Sequence, residues 1–226
     1  MKVVKFGGSS LASGEQIEKV FQIVMSDPER KVVVVSAPGK RFAKDEKVTD
    51  LLIECAEQCL QDNNPTEKFN AVMSRYSSIA AELALPNDVI SEIHHDLSER
   101  LNGDRSKPER FMDLVKASGE DNHAKLVAAY FREQGVEATY VNPGKAGLFV
   151  SDEPGNAQVL HESYENLFSL REIPGIIIFP GFFGYSKSGE VFTFSRSGSD
   201  ITGSILANGI KATLYENFTD VDAVFS

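Results

Sequence analysis

Tryptophan is absent from these 226 residues, and cysteine occurs only twice, at Cys55 and Cys59. Four residues apart in a helical stretch, the two thiols share a face. No further His or Cys lies at ligand spacing, so a zinc site is disfavoured and small buried helix residues in a reducing compartment are expected. Long apolar runs are missing too: nothing approaches the roughly 20 residues of a membrane span. The chain opens on a strand-like segment, not on a signal peptide, so no membrane partner is expected and a cytoplasmic location is. Bases are scarce, 23 Lys and Arg against 33 Asp and Glu for a formal charge of -10, which weighs against a nucleic-acid partner. Two of the four histidines, His94 and His95, are adjacent and would diverge on a helix as solvated residues. The phosphate-loop pattern G-x-x-x-x-G-K-[ST] does not occur.

What is present is an ordinary globular composition, 42% hydrophobic and 25% charged, long enough to bury a real core. The most informative stretch is the first, MKVVKFGGSS. A short apolar strand carrying Lys5 meets Gly7, Gly8, Ser9 and Ser10, and Glu15 to Met25 then reads as a helix. Glycines let backbone approach an anion, and a following helix start offers unpaired N–H groups. An anion cradle with Lys5 at its edge and a plain βα turn both fit this pattern.

Lys31 to Val35 ends in VVVV, the continuous apolar run of a parallel strand covered on both faces, and runs into Ser36-Ala37-Pro38-Gly39-Lys40. Ligands of open α/β sheets bind beyond the carboxyl ends of strands, so two such turns could converge. The basic continuation RFAKDEK reads either as a mobile phosphate-covering flap or as a solvated loop. From Val48 to about Leu101 the pattern is helical, which suggests a substrate-side lobe or lid inserted at about 48–118. Thr49 follows the basic loop. At ASGED, residues 117–121, a new helix is expected to begin, with Glu120 and Asp121 as ordinary first-turn acids or as site residues. Strands are expected at Val136–Val141, Phe149–Val150, Ile176–Phe179 and Ala212–Tyr215. A hairpin turn falls at Lys187-Ser188-Gly189-Glu190. Its returning strand delivers Ser195-Arg196-Ser197-Gly198-Ser199-Asp200 before a helix, a second strand–glycine–helix turn with a strong cation. It suits a carboxylate or phosphate clamp, although Asp200 could equally be a helix-start acid.

Taken together, KFGGSS (5–10), VVSAPGK (34–40), KVTDLL (47–52), ASGED (117–121), PGFFGYSKSGEVFTFSRSGSD (180–200) and FTDVD (218–222) resemble the aspartate kinases of the amino-acid kinase superfamily, over nearly the whole chain and in order. The resemblance implies a three-layer αβα sandwich around a mostly parallel sheet. It also implies transfer of the ATP γ-phosphoryl to the β-carboxylate of L-aspartate with Mg²⁺, the first step of lysine, threonine and methionine biosynthesis. By the same resemblance Lys5 contacts phosphate and Asp200 holds it in place as the catalytic pair. Gly7, Gly8 and Ser9 donate to phosphate, and Thr219 and Asp220 belong to the nucleotide side. Ser36, Thr49, Glu120, Arg196 and Ser199 contact substrate, Arg196 gripping the α-carboxylate and Glu120 placing the ammonium. No protein-held metal is implied.

The chain departs from the family pattern at two places. Ser197 stands where the family often has glycine, a mild change if φ there is negative, and Phe225 stands where tyrosine is frequent. The family runs about as long again, through the rest of the nucleotide site and into ACT domains that dimerise the parent enzyme. An incomplete catalytic domain is therefore expected. Another small carboxylate such as glutamate, or aspartate binding without turnover, are the competing readings.

Overall fold

The computed structural model describes residues 1–195 and 197–219. The strands are β1 (Lys2–Phe6), β2 (Arg30–Val35), β3 (Ala138–Tyr140), β4 (Ile176–Pro180), β5 (Phe183–Tyr185), β6 (Val191–Thr193) and β7 (Leu214–Phe218). Five of them form one sheet in the order β3-β4-β2-β1-β7, every neighbouring pair parallel, and β5 and β6 make a separate antiparallel hairpin. The helices are α1 (Gly14–Met25), α2 (Val48–Leu60), α3 (Thr66–Glu82), α4 (Asn87–Leu101), α5 (Pro108–Glu133), α6 (Glu162–Asn166) and α7 (Gly198–Gly209).

Strand alternation divides the core in two. Val4, Phe6, Val33, Val35, Ile176 and Ile178 point to one face and pack with the apolar stripes of α1 to α5. Val3, Val32, Val34, Ile177 and Phe179 point to the other, against Ile205 and Leu206 of α7 and Leu148, Leu167 and Leu170 of the preceding segment. Both faces are covered at the centre of the sheet, so β2 ends in four buried valines and β4 is buried throughout, whereas the edge strand β7 is partly exposed. Each fully buried valine contributes about 1.5 kcal/mol or more, and a charge at Val33 would break the layer formed with α1 to α5. The result is a three-layer αβα sandwich, as the family resemblance implies.

Several local expectations are revised. The helices from residue 48 onward do not stand apart as a lobe or lid. Val48, Leu51, Leu52, Val72, Tyr76 and Phe111 share one core with β1 and β2, because their stripes have the sheet face to cover. Nor does a helix begin at ASGED. Pro108 opens a single 26-residue helix that runs through Gly119 to Glu133, with Gly119 kept by close packing: a Cβ there would lie 3.0 Å from that of Ala37. Glu120 and Asp121 are therefore mid-helix and buried, and the first-turn dipole account of them fails. Among the described residues the last strand is Leu214–Phe218 rather than Ala212–Tyr215, and Phe149 and Val150 make only isolated bridges.

Candidate functional site

Every described candidate residue lies at or beside the carboxyl edge of the sheet, where open α/β sheets bind ligands. Lys5 shares strand parity with Val3 and so faces the α7 layer. It is 7% exposed, and its Nζ lies 2.6 Å from Asp200 Oδ1 in the first turn of α7. Asn217, opposite Lys5 in β7, donates through Nδ2 to the same oxygen at 3.1 Å. Gly7 continues β1 and donates its N–H to Phe218 O at 3.3 Å. A Cβ on Gly7 would stand 3.7 Å from Lys5 Nζ. Ser9 is exposed in the short turn Gly8–Leu11, and Thr219 is exposed one residue past β7.

The second turn closes directly onto the first. Gly39 N–H donates to Gly8 O at 2.8 Å, and the backbones meet so tightly that a Cβ on Gly8 would fall 2.8 Å from Ala37 O, one on Gly39 2.5 Å from Gly8 C. Neither position can carry a side chain without displacing the other loop. Ser36 leaves β2 half-buried, and Thr49 sits in the first turn of α2, whose Val48 N–H donates to Pro38 O at 3.1 Å. From β4, Gly181 N–H donates to Val35 O at 2.9 Å, and a Cβ on Gly181 would fall 2.6 Å from Ser199 Oγ. Buried Ser199 thus packs against the end of β4.

The basic loop is not a free flap. Its Asp45 is 8% exposed, accepts both the backbone and guanidinium of Arg41, and pairs with Arg75 of α3 at 2.7 Å. These bonds, Arg41's first, hold the Asp45 carboxyl well below the ordinary carboxylate range.

α5 supplies the other wall. Glu120 is 6% exposed, and burial pushes its carboxyl up to about 8, offset in part by the Ala37 and Glu120 backbone amides. Its Oε2 has no hydrogen-bond partner among the described residues. One turn on, His123 is fully buried. Its Nδ1 is 2.8 Å from Ser36 O, which can only accept, so Nδ1 carries the proton and Nε2 is left without a described partner. Burial lowers its pKa to about 4, so the ring is neutral. His123 escapes a pattern reading because its partner, the Ser36 carbonyl, lies 87 positions away. One continuous helix places it three residues after Glu120, on the same face.

Ser197, the residue before α7, has φ +63°, so its condition for a mild replacement of glycine is not met. Phe182 beside it is also left-handed, at φ +77°, with its N–H bound to Thr202 Oγ1. Arg196, Asp220 and Phe225 lie outside the described residues.

The amino acid kinase family model matches residues 1–226. This chain belongs to the amino acid kinase family. It is 69% identical over 226 residues to aspartokinase 3 of Bacillus subtilis, covering all of this chain and 50% of that protein. Among solved structures it is similar to the aspartate kinase of Clostridium acetobutylicum, with TM-score 0.82, 34% identity, and 99% of this chain and 48% of that one covered. It is also similar to aspartokinase III of E. coli in complex with aspartate and ADP, with TM-score 0.85, 27% identity, and 98% and 49% covered. The chain thus spans about half the length of these relatives. Among the described residues no helix is long and apolar enough to cross a membrane.

Proposed function

We propose that this chain carries the catalytic site of an aspartate kinase, which transfers the γ-phosphoryl of ATP to the β-carboxylate of L-aspartate. The carboxylate oxygen forms the new P–O bond, the bond to the β-phosphate oxygen breaks, and ADP and 4-phospho-L-aspartate leave. The observation that carries the reading is the pair of unequal walls at the carboxyl edge of the sheet: a lysine in a glycine cradle, and on α5 a buried carboxyl with an unpartnered oxygen. The relatives named for aspartokinase activity, one of them holding aspartate and ADP, support the same assignment.

A carboxylate nucleophile is already ionised near neutrality and needs no general base, so neutral His123 need not move a proton. The chain's task is positioning and charge neutralisation. Lys5 would neutralise the transferred group, while Gly7, Gly8 and Ser9 approach it, Asp200 holds the Lys5 ammonium in place, and Asn217 orients Asp200 through its amide donor. The Gly8–Gly39 contact, too close for a side chain, suits such an approach. Among the described residues no cluster of three acidic, His or Cys side chains forms a metal cage. Mg²⁺ would accordingly be held mainly by phosphate oxygens and water, where it neutralises charge. Glu120 would receive the substrate ammonium. Ser36, Thr49 and Ser199, with Arg196, would meet the rest of the amino acid, and Thr219 and Asp220 would lie on the nucleotide side. A cytoplasmic location, the biosynthetic pathway of the aspartate family and dimerisation through further domains belong to the same proposal.

The test is ADP release and hydroxylamine-trapped acyl phosphate from the intact protein with ATP·Mg and L-aspartate, against L-glutamate. Turnover with aspartate at least a hundredfold above glutamate is expected. Equal rates, or none with aspartate, would overturn the reading.

A further inference from the structure

Three backbone carbonyls of the segment after β2 are gripped by buried side chains from the helical layer beneath it. His123 of α5 holds Ser36 O at 2.8 Å. Arg75 of α3 donates through Nη1 to Gly39 O at 2.7 Å and through Nη2 to Glu46 O at 3.0 Å, and also pairs with Asp45 at 2.7 Å. Arg75 is only 4% exposed. Burying a guanidinium is costly unless its donors are satisfied, and here the fork is satisfied mainly by the loop itself. An ordinary surface ion pair would place no such constraint on a loop.

The grip extends beyond that loop. Gly39 receives Arg75 at its carbonyl and donates its own N–H to Gly8 O at 2.8 Å, so α3 is connected through two hydrogen bonds to the turn that follows Lys5. Ser36 and Thr49, the candidate substrate contacts, stand at the two ends of the gripped segment.

We propose that Arg75 and His123 are positioning residues of the candidate site: they fix Ser36–Thr49 and, through Gly39, the Gly7–Ser9 turn, without touching substrate themselves. This rests on the kinase reading of the site. Arg75 sets the register of both glycine turns, and His123 anchors the end nearest Glu120.

A merely structural arginine would, on removal, reduce the fraction of folded enzyme, lowering kcat and leaving KM unchanged. A positioning arginine is read in KM, because both substrates meet a displaced surface in ground and transition states alike. For Arg75→Met in the intact protein, KM for aspartate and for ATP should each rise at least tenfold, with kcat within threefold of wild type. Arg75→Lys keeps the charge but not the fork, and should fall between the two; it also carries the test if Arg75→Met does not fold. Independently of activity, trypsin should cut the exposed Lys40, Arg41, Lys44 and Lys47 at least tenfold faster in the variants, before the rest of the chain is cleaved. Unchanged KM values, or unchanged cleavage of this loop, would overturn the proposal. If the wild-type protein does not phosphorylate aspartate, the kinase reading fails and the cleavage rates alone decide the positioning role.

Discussion

The two walls of the candidate site differ in how well they are satisfied in the free protein. On the β1, β7 and α7 side, Lys5, Asp200 and Asn217 complete one another, and the glycine turns close backbone to backbone. On the α5 side, Glu120 Oε2 and His123 Nε2 are buried without described partners. An unpaired buried polar atom costs about 1–3 kcal/mol, which a bound ligand can recover. The contrast suggests that the first wall exchanges one partner for another on binding, whereas Glu120 in the second gains a partner it lacks. It predicts rate effects on one side and affinity and pH effects on the other.

The largest effect is expected at Lys5. Lys5→Ala should lower kcat by about three orders of magnitude, the scale of losing a preorganised charge at the transferred group, with KM for aspartate within about threefold. Near-normal turnover would remove Lys5 from the chemistry and collapse the distinction between the walls. Gly8→Ala comes next. Its methyl would enter the space of Ala37 O and Gly39, costing about 1–3 kcal/mol of stability and displacing both turns, so ATP affinity should fall together with the melting temperature. A variant as stable and active as wild type would show that the two turns are not locked.

The α5 wall can be probed by pH. Glu120 is held near 8 when folded and returns to its ordinary value near 4.5 when unfolded. Between those values the folded state binds the extra proton, so stability falls as pH rises. His123, lowered to about 4 from 6.5, has the opposite slope between those two values and offsets Glu120 up to pH 6.5. The uncompensated window is 6.5 to 8. There the free protein should lose about 2 kcal/mol of stability, at about 1.4 kcal/mol per pH unit, measured by denaturant unfolding. Glu120→Gln should flatten the curve, and a flat wild-type curve would sink the account of a buried, uncompensated acid.

These differences also show what could be read in advance. The layered α/β architecture was legible because VVVV and IIIF fit strands covered on both faces, and glycines after strands mark close backbone approach. Lys5, Gly8 and Asp200 stood out as candidates because they sit beside such turns, and their roles rest on the family resemblance. Arg75 and His123 did not, because each lies inside an ordinary helical pattern and becomes informative only when a loop distant in sequence is laid against it. The helix start expected at ASGED does not exist because Gly119 lies inside α5, where its small size serves packing against Ala37 and Leu52. The flap reading of residues 40–47 missed a distant contact: besides the neighbouring Arg41, Asp45 is held by Arg75, thirty positions away.

The smallest effect sharpens the junction of the first wall with α7. Ser197 occupies the left-handed region at φ +63°, with no side-chain cap bond of its own to compensate. Glycine adopts this conformation without the Cβ penalty of about 1–2 kcal/mol, although it loses more entropy on folding, roughly 0.5–1 kcal/mol. Ser197→Gly should therefore stabilise the fold by about 0.5–1 kcal/mol, or roughly 1–4 °C in Tm for a chain of this size. Because Ser197 immediately precedes the turn that carries Ser199 and Asp200, relief of strain without movement should leave the Lys5–Asp200 pair and kcat within twofold of wild type. If the variant is stabilised but kcat falls tenfold or more, the strained turn itself is required to aim Asp200 at Lys5. The first wall would then be as dependent on held strain as the second is on unpaired atoms.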